Sequence, residues 1–320
     1  MVAIDIGIII VGLVILCFGG YALVLGSVAL AKRLQISSIV IGLTVVAYGT
    51  STPELAASIV AAVGSHTDLI LGNIVGSNIS NVGMVIGISA IFAPLAMRKI
   101  TVTRWIPIMI GVSLLLVGLS YDGEISQVDG IILLAGLIAF TIYTVKTARR
   151  QNPVGNDIEN EDPDSEMALS KFHITNIPRA AGFVVVGAIL LFIGGNLTID
   201  SAVSIAEGLG ISQMVIGITI IAIGTSLPEL VTSIIAIRKN QMDIGIGNIV
   251  GSNVYNILFI GGVAGTIAGI PVVTDAFTDY YIMIAFSLVL FIGFRKYIPR
   301  PVGVGLAIAY VIYLGSLFLE

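Results

Sequence analysis

Apolar runs of about 20 residues, the length a helix needs to cross a bilayer, recur along this whole chain. Ten can be counted, at 6–31, 38–63, 69–95, 104–121, 127–147, 180–206, 213–237, 244–269, 279–295 and 302–319. Lipid offers no partner for a backbone N–H or C=O, and a helix satisfies both internally, so each run is expected to be a membrane helix. Composition agrees: 57% of the 320 residues are hydrophobic, 11% are charged and the mean hydropathy is +1.06. Soluble domains carry about 25% charged residues. The N-terminus opens Met1-Val2-Ala3-Ile4-Asp5 without the basic stretch of a signal peptide, so the first run is expected to be retained as a span.

Lys and Arg test the count. They fall after runs 1, 3, 5, 7 and 9: Lys32 and Arg33; Arg98, Lys99 and Arg104; Lys146, Arg149, Arg150, Lys171 and Arg179; Arg238 and Lys239; Arg295, Lys296 and Arg300. With ten spans all 15 basic residues share one side, and a missed or extra span would scatter them. The positive-inside rule makes that side cytoplasmic and puts both termini outside. Trp105, Tyr280, Tyr281 and Tyr297 lie at span ends, where aromatic side chains favour the interface.

The two halves repeat. GTSTPELAAS around Glu54 returns as GTSLPELVTS around Glu229, an offset of 229 − 54 = 175, and 25 of the 46 positions in 36–81 match 211–256. Such identity means duplication. Each half carries five spans, so the second enters the membrane from the opposite side. The fold expected is an all-α membrane protein of ten transmembrane helices as two inverted five-helix repeats, N-out and C-out. Residues 1–148 form the first repeat, with its core at about 36–95, and 180–320 the second, with its core at about 211–269. Segment 149–179 joins them; its acidic stretch Asp157 to Glu166 contains Pro163 and is expected to be a flexible cytoplasmic linker. It lacks the alternating carboxylates and glycine of an EF-hand.

Each repeat breaks one helix at a buried acid. Pro53 lacks an N–H and crowds the preceding turn, and Gly49 loosens it further; Pro228 and Gly224 do the same in the second copy. Backbone carbonyls near Ala47 to Thr50, and near Ala222 to Thr225, are expected to lose helical partners, which lipid tolerates only beside a polar cavity or a ligand. Ser51-x-x-Glu54 and Ser226-x-x-Glu229 also match a capping box. Capping alone does not explain the acids: a charge at the bilayer centre costs on the order of 3 kcal/mol, and Gln would cap more cheaply.

The following span adds Asn73, Ser77 and Asn81 at i, i+4 and i+8, one polar stripe, repeated as Asn248, Ser252 and Asn256. Gly72 and Gly76, like Gly247 and Gly251, form GxxxG faces for close helix packing. Asp68 and Asp243 read as helix N-caps, and Asp200 as a cap or surface residue. The candidate ion site therefore comprises Glu54, Glu229, Asn81, Asn256, Ser51, Ser77, Ser226, Ser252, Thr50, Thr225, Ala47 and Ala222, around the breaks at Gly49, Pro53, Gly224 and Pro228. The Glu54 and Glu229 carboxylates would be the charged metal ligands.

All these donors are oxygens, the set hard cations take; Ca2+ wants about 6–8 of them. Zinc, copper or iron would call for imidazole or thiolate. His66 and His173 lie in connections at opposite ends, and Cys17, the one cysteine, sits in an apolar run. Two carboxylates balance one Ca2+ or two Na+, and when neither is bound the acids repel each other, so protons should compete with the cations. Nothing in the sequence points to an enzyme cofactor, nucleic acid or a protein partner; the partners expected are Ca2+, Na+ and the lipid bilayer, with monomer and dimer both open. A channel would pass ions without exchange coupling, and an intramembrane protease would need a GxGD signature that is missing.

GTSTPE and GTSLPE, each followed by GNIVGSN, resemble the two alpha-repeats of sodium/calcium exchangers in the cation/Ca2+ antiporter superfamily, in their short prokaryotic form. The resemblance covers all ten spans. It implies a multi-pass prokaryotic membrane protein exchanging Na+ for Ca2+, usually three Na+ per Ca2+ and electrogenic, with Glu54, Glu229, Asn81 and adjacent Ser/Thr oxygens as ligands. It also implies alternating access through sliding of spans 1 and 6. Where some members carry aspartate this chain has Asn256, a departure that argues against the potassium-dependent branch. The GNxxEH-like motif of the proton-coupled branch is absent, which favours Na+ over H+; a Ca2+/H+ antiporter is the nearest alternative.

Overall fold

The computed structural model describes residues 2–64, 68–150, 172, 174, 176–210 and 222–317. Among the described residues, seven helices are long and apolar enough to cross a membrane: α1 (Val2–Leu34), α4 (Leu69–Phe92), α5 (Thr101–Leu119), α6 (Gln127–Ala148), α7 (Ile177–Gly208), α10 (Met242–Ala268) and α11 (Ala276–Arg295). An eighth candidate is the bent pair α2 (Ser38–Thr50) and α3 (Thr52–Val63), which meet at 46°. The expected seventh span is described only in α8 (Ala222–Thr225) and α9 (Leu227–Arg238), because 211–221 lie outside the described residues. The tenth is α12 (Arg300–Ser316), a shorter apolar helix. Most of the acidic linker, with His66 and His173, also falls outside the described residues.

Burial sorts the helices into layers. The most apolar window of α10 is 94% buried and that of α4 83%, against 22% for α6. The two helices carrying the polar stripes are thus the innermost, and those with unbroken apolar faces meet lipid. Between them pack Ile70, Ile74, Ile79, Val85, Ile249, Val254 and Ile257.

α1 and α7 are the longest elements, at 33 and 32 residues, overrunning the expected 6–31 and 180–206 at both ends. At 1.5 Å per residue each reaches about 50 Å, well beyond a hydrocarbon core of about 30 Å. They lie against each other through glycines. A Cβ on Gly187 would stand 2.5 Å from Leu23 N, and one on Gly19 would stand 2.7 Å from Leu191 N. Gly12 and Gly194 make a second such approach, since a Cβ on Gly194 would be 2.8 Å from Gly12 O. Backbones this close make the pair a single mechanical unit.

Short connections tie the ends together. β1 (Leu95–Ala96) pairs antiparallel with β4 (Tyr297–Ile298), and β2 (Glu124–Ile125) with β3 (Ile270–Pro271). Near β1, Arg98 Nε bonds Asp243 Oδ2 at 3.0 Å, and Ala96 N approaches Met242 Sδ at 3.4 Å. The connections after α4, α9 and α11 therefore share one end, and those after α5 and α10 share an end of their own.

Two expectations change, and one of two alternatives is decided. Trp105 and Tyr280 are buried rather than interfacial: Trp105 packs edge-on to Phe140 and Tyr143, and the Tyr280 hydroxyl bonds that of Ser120 at 2.7 Å. Tyr281 and Tyr297 are the exposed members of that set. Asp243 is not an N-cap; Gln241 holds that place, and Asp243 in the first turn pairs with Arg98 instead. Asp200 lies exposed within α7, as the surface reading expected, and is not a cap because the helix runs on to Gly208.

Candidate functional site

The site is built where the helices break. α2 stops at Thr50, Ser51 takes φ −83° and ψ 9°, and α3 restarts with Pro53 in its first turn. Ser226 repeats this with φ −87° and ψ 1° ahead of Pro228. Each new N-terminus carries one acid, Glu54 or Glu229, in its first turn, where exposed backbone N–H groups favour negative charge. Both acids are buried, at 1% and 0% exposure.

The serines do not cap. Neither Ser51 nor Ser226 makes a side-chain cap bond. Ser51 Oγ instead donates to Glu229 Oε1 at 3.2 Å, reaching from one repeat to the acid of the other. The capping box therefore describes the backbone position but not the hydroxyls' partners. The carbonyls differ as well. Ala47 O is not freed: it accepts Ser51 N–H at 3.0 Å and lies 3.3 Å from Thr50 Oγ1. In the second repeat Ser226 N donates to Ile223 O at 3.2 Å.

Close packing carries the first repeat's break onto α10. A Cβ on Gly247 would stand 2.7 Å from Ile39 O and 3.0 Å from Gly42 Cα, and one on Gly251 would stand 2.7 Å from Leu43 O. At that separation Thr50 Oγ1 donates to Asn248 Oδ1 at 3.0 Å and lies 3.5 Å from Ser252 Oγ.

The upper members of the polar stripes serve packing. Asn73 Nδ2 donates to Ser58 Oγ at 2.9 Å and Glu54 O at 3.2 Å, tying α4 to α3; Asn248 Nδ2 meets Ser233 Oγ at 3.2 Å in the matching place. Ser77 Oγ reaches Asn73 Oδ1 at 3.4 Å. Asn81 and Asn256 each begin a π-helical turn, Asn81–Ile86 and Asn256–Gly261, a local widening that the sequence did not announce. Thr225 and Ser226 are buried beside Glu229, and Gly224 packs against the Ile199 side chain of α7.

Among the described residues, the buried side-chain atoms without a hydrogen-bond partner include Glu54 Oε2, Glu229 Oε2, Asn81 Oδ1, Asn256 Oδ1 and Ser226 Oγ, besides five other hydroxyls and Trp105 Nε1 elsewhere in the fold. Buried polar atoms are normally satisfied, so a group of orphans needs a cause. All five named oxygens are acceptors, and four of them lie on residues expected as ion ligands in matching pairs, Glu54 with Glu229 and Asn81 with Asn256. Acceptor oxygens left without donors are what a hard cation can satisfy. Sequence reasoning passed over Asn78 and Asn253, whose amides meet Asn256 and Asn81 across the repeat interface at 3.1 and 3.0 Å. They sit one residue off the i, i+4, i+8 stripe, and the signal that would have found them is their identity at the 175-residue offset.

Buried acids at the breaks of two membrane helices, with unpartnered oxygens on both and on Asn81 and Asn256, set this chain among multi-span membrane proteins with a polar centre. The sodium/calcium exchanger protein family model matches residues 4–146 and 179–319. The sodium/calcium exchanger MaX1 of Methanosarcina acetivorans is 33% identical over 99% of each chain, and the inner membrane protein YrbG of Escherichia coli is 32% identical over 97% of this chain and 95% of its own. A solved structure of the sodium-calcium exchanger NCX_Mj superposes with a TM-score of 0.83 at 31% identity, covering 99% of this chain and all of that one. The chain belongs to the sodium/calcium exchanger family and is a multi-span membrane transporter, not an enzyme.

Proposed function

We propose that the protein is a secondary antiporter that exchanges Na+ for Ca2+, both ions using one site between Glu54 and Glu229. The observation that carries this is the set of unpartnered acceptor oxygens on both acids and both π-turn asparagines. Side-chain oxygens of Ser51, Ser77, Ser252, Thr50 and Thr225 and the carbonyl of Ala222 would serve as further ligands, whereas Ala47 O, already accepting from Ser51 N, would not. The two carboxylates neutralise one Ca2+ or two Na+. A third Na+ would bring net positive charge, making the exchange electrogenic. Protons compete, because protonating either acid removes a ligand charge.

The frame is ten helices in two inverted repeats, 1–148 and 180–320, joined by the cytoplasmic linker 149–179, with both termini outside. The alternation of shared ends described above supports it, as does the duplication. Alternating access arises from the α1–α7 unit shifting against the rest. Its packing is lopsided in a way that supports this. A Cβ on Gly20 of α1 would meet Ile235 Cδ1 at 3.0 Å and Val231 Cγ1 at 3.2 Å on α9, closing the end that carries Arg238. Gly195, 175 residues on, has only Pro228 Cγ at 3.8 Å and does not reach the corresponding α3 residues. There Val60, the counterpart of Ile235, is 73% exposed. Tight packing toward the basic side and loose packing toward the other support an outward-facing arrangement.

Proteoliposomes loaded with Na+ and diluted into Na+-free buffer containing radioactive Ca2+ test the reading. Exchange predicts Ca2+ uptake that needs the Na+ gradient and survives dissipation of any pH gradient by an ionophore. Uptake driven by a pH gradient alone would point to proton coupling, and uptake along the Ca2+ gradient without counter-ion would point to a channel.

A further inference from the structure

The two asparagines that present orphaned oxygens are each held by an asparagine of the other repeat. Asn81 Nδ2 donates to Asn253 Oδ1 at 3.0 Å, and Asn256 Nδ2 donates to Asn78 Oδ1 at 3.1 Å. Asn78 and Asn253 are related by the repeat offset, 253 − 78 = 175, and so are Asn81 and Asn256. All four are buried, at 1% exposure each.

Chemistry fixes which way each amide points. A backbone carbonyl only accepts, so Asn78 must turn Nδ2 toward Asn253 O, 3.2 Å away. Asn78 Oδ1 then faces Asn256, and because it only accepts, Asn256 must offer Nδ2. Asn256 Oδ1 is thereby directed away from the clasp, and it is one of the orphans. The mirror chain runs from Asn78 O, which Asn253 Nδ2 approaches at 3.5 Å, through Asn253 Oδ1 to Asn81 Nδ2, and leaves Asn81 Oδ1 unpartnered. Met283 Sδ and Met109 Sδ back the two inner amides at 3.6 and 3.5 Å.

We propose that Asn78 and Asn253 are positioning residues: they form a cross-repeat amide clasp that locks Asn81 and Asn256 with their oxygens toward the ion. This rests on the exchange reading for what the ion is. The clasp also accounts for Asn256. An aspartate there would set a carboxylate against Asn78 Oδ1, acceptor against acceptor, unless the Asn78 amide turned and surrendered its bond to Asn253 O. Asn78 thus reads an amide, not an acid, at position 256.

Calorimetric titration of the detergent-solubilised full-length protein with Ca2+ tests this without flux. Asn78→Leu removes the acceptor that orients Asn256, and the Kd for Ca2+ should rise about five-fold, the worth of one neutral hydrogen bond. In an Asn256→Ala background, where the oriented oxygen is already gone, Asn78→Leu should change Kd no further. A merely structural Asn78 predicts the same factor in both backgrounds. Unchanged Kd in the folded Asn78→Leu protein, or equal factors in both backgrounds, overturns the clasp. If Asn78→Leu does not fold, Asn78→Ala removes the acceptor without adding bulk and is read the same way. Wild-type protein that binds Ca2+ but fails the Na+-gradient assay would overturn the exchange reading and leave the clasp standing on its own result.

Discussion

Replacing Glu229 by Gln separates the charge of the site from its shape. Gln keeps an oxygen to accept the 3.2 Å bond from Ser51 Oγ, and its amide nitrogen takes the place of Oε2, which has no partner to lose. The buried volume and the α9 first turn are preserved, so expression and folding should be retained. In the ion-free state the change relieves repulsion with Glu54, and the thermal midpoint without Ca2+ should stay level or rise. With Ca2+ the loss is large. Removing one partner of a buried charge pair costs about 3–5 kcal/mol, so Ca2+ affinity should fall by about two to three and a half decades. Wild-type protein gains stability from bound ligand by mass action, and the variant should show no Ca2+-dependent rise in its midpoint at concentrations that shift the wild type. Na+-driven Ca2+ uptake should vanish with it, and Glu54→Gln should behave alike. A folded Gln variant that transports Ca2+ at the wild-type rate would refute the assignment of the carboxylates.

Asn256→Asp adds an acid to the site and breaks the bond to Asn78, so Na+ preference and pH dependence of uptake should both change; identical Na+, Ca2+ and pH profiles would contradict it. Lowering the pH outside should raise the KM for Ca2+ with little effect on maximal rate, because protons occupy the same carboxylates; a fall in maximal rate at constant KM would place proton inhibition elsewhere. Gly187→Leu drives a side chain into Leu23 N at the α1–α7 crossing, and overpacking of this kind costs about 1–3 kcal/mol, visible as a lower thermal midpoint. In a Cys17→Ser background a membrane-impermeant thiol reagent added outside should label Val60→Cys readily and Ile235→Cys poorly, and equal labelling would remove the outward-facing reading.

Much of this was legible because lipid enforces simple rules. A polar residue in an apolar span is costly, so Glu54, Glu229 and the asparagines stood out, and Pro53 and Pro228 marked the breaks that the backbone makes. What stayed hidden depends on contacts between helices. Trp105 and Tyr280 look interfacial by position, yet neighbouring helices cover them. The π-helical turns at Asn81 and Asn256 leave no sequence mark, since any residue can widen a helix by one step. Ala47 keeps its helical donor although Pro53 lies nearby, because the missing N–H is that of residue 53 and strips Gly49, not Ala47. Asn78 and Asn253 bond across the repeat interface, a pairing that no one-helix stripe contains.

Crystals soaked with Sr2+ as an anomalous stand-in for Ca2+, and then with rising Na+, test the shared site most directly. Exchange at the paired acids predicts one anomalous peak bounded by oxygens of Glu54, Glu229, Asn81 and Asn256, fading as Na+ increases. A peak away from both glutamates, or one that Na+ leaves untouched, would contradict it.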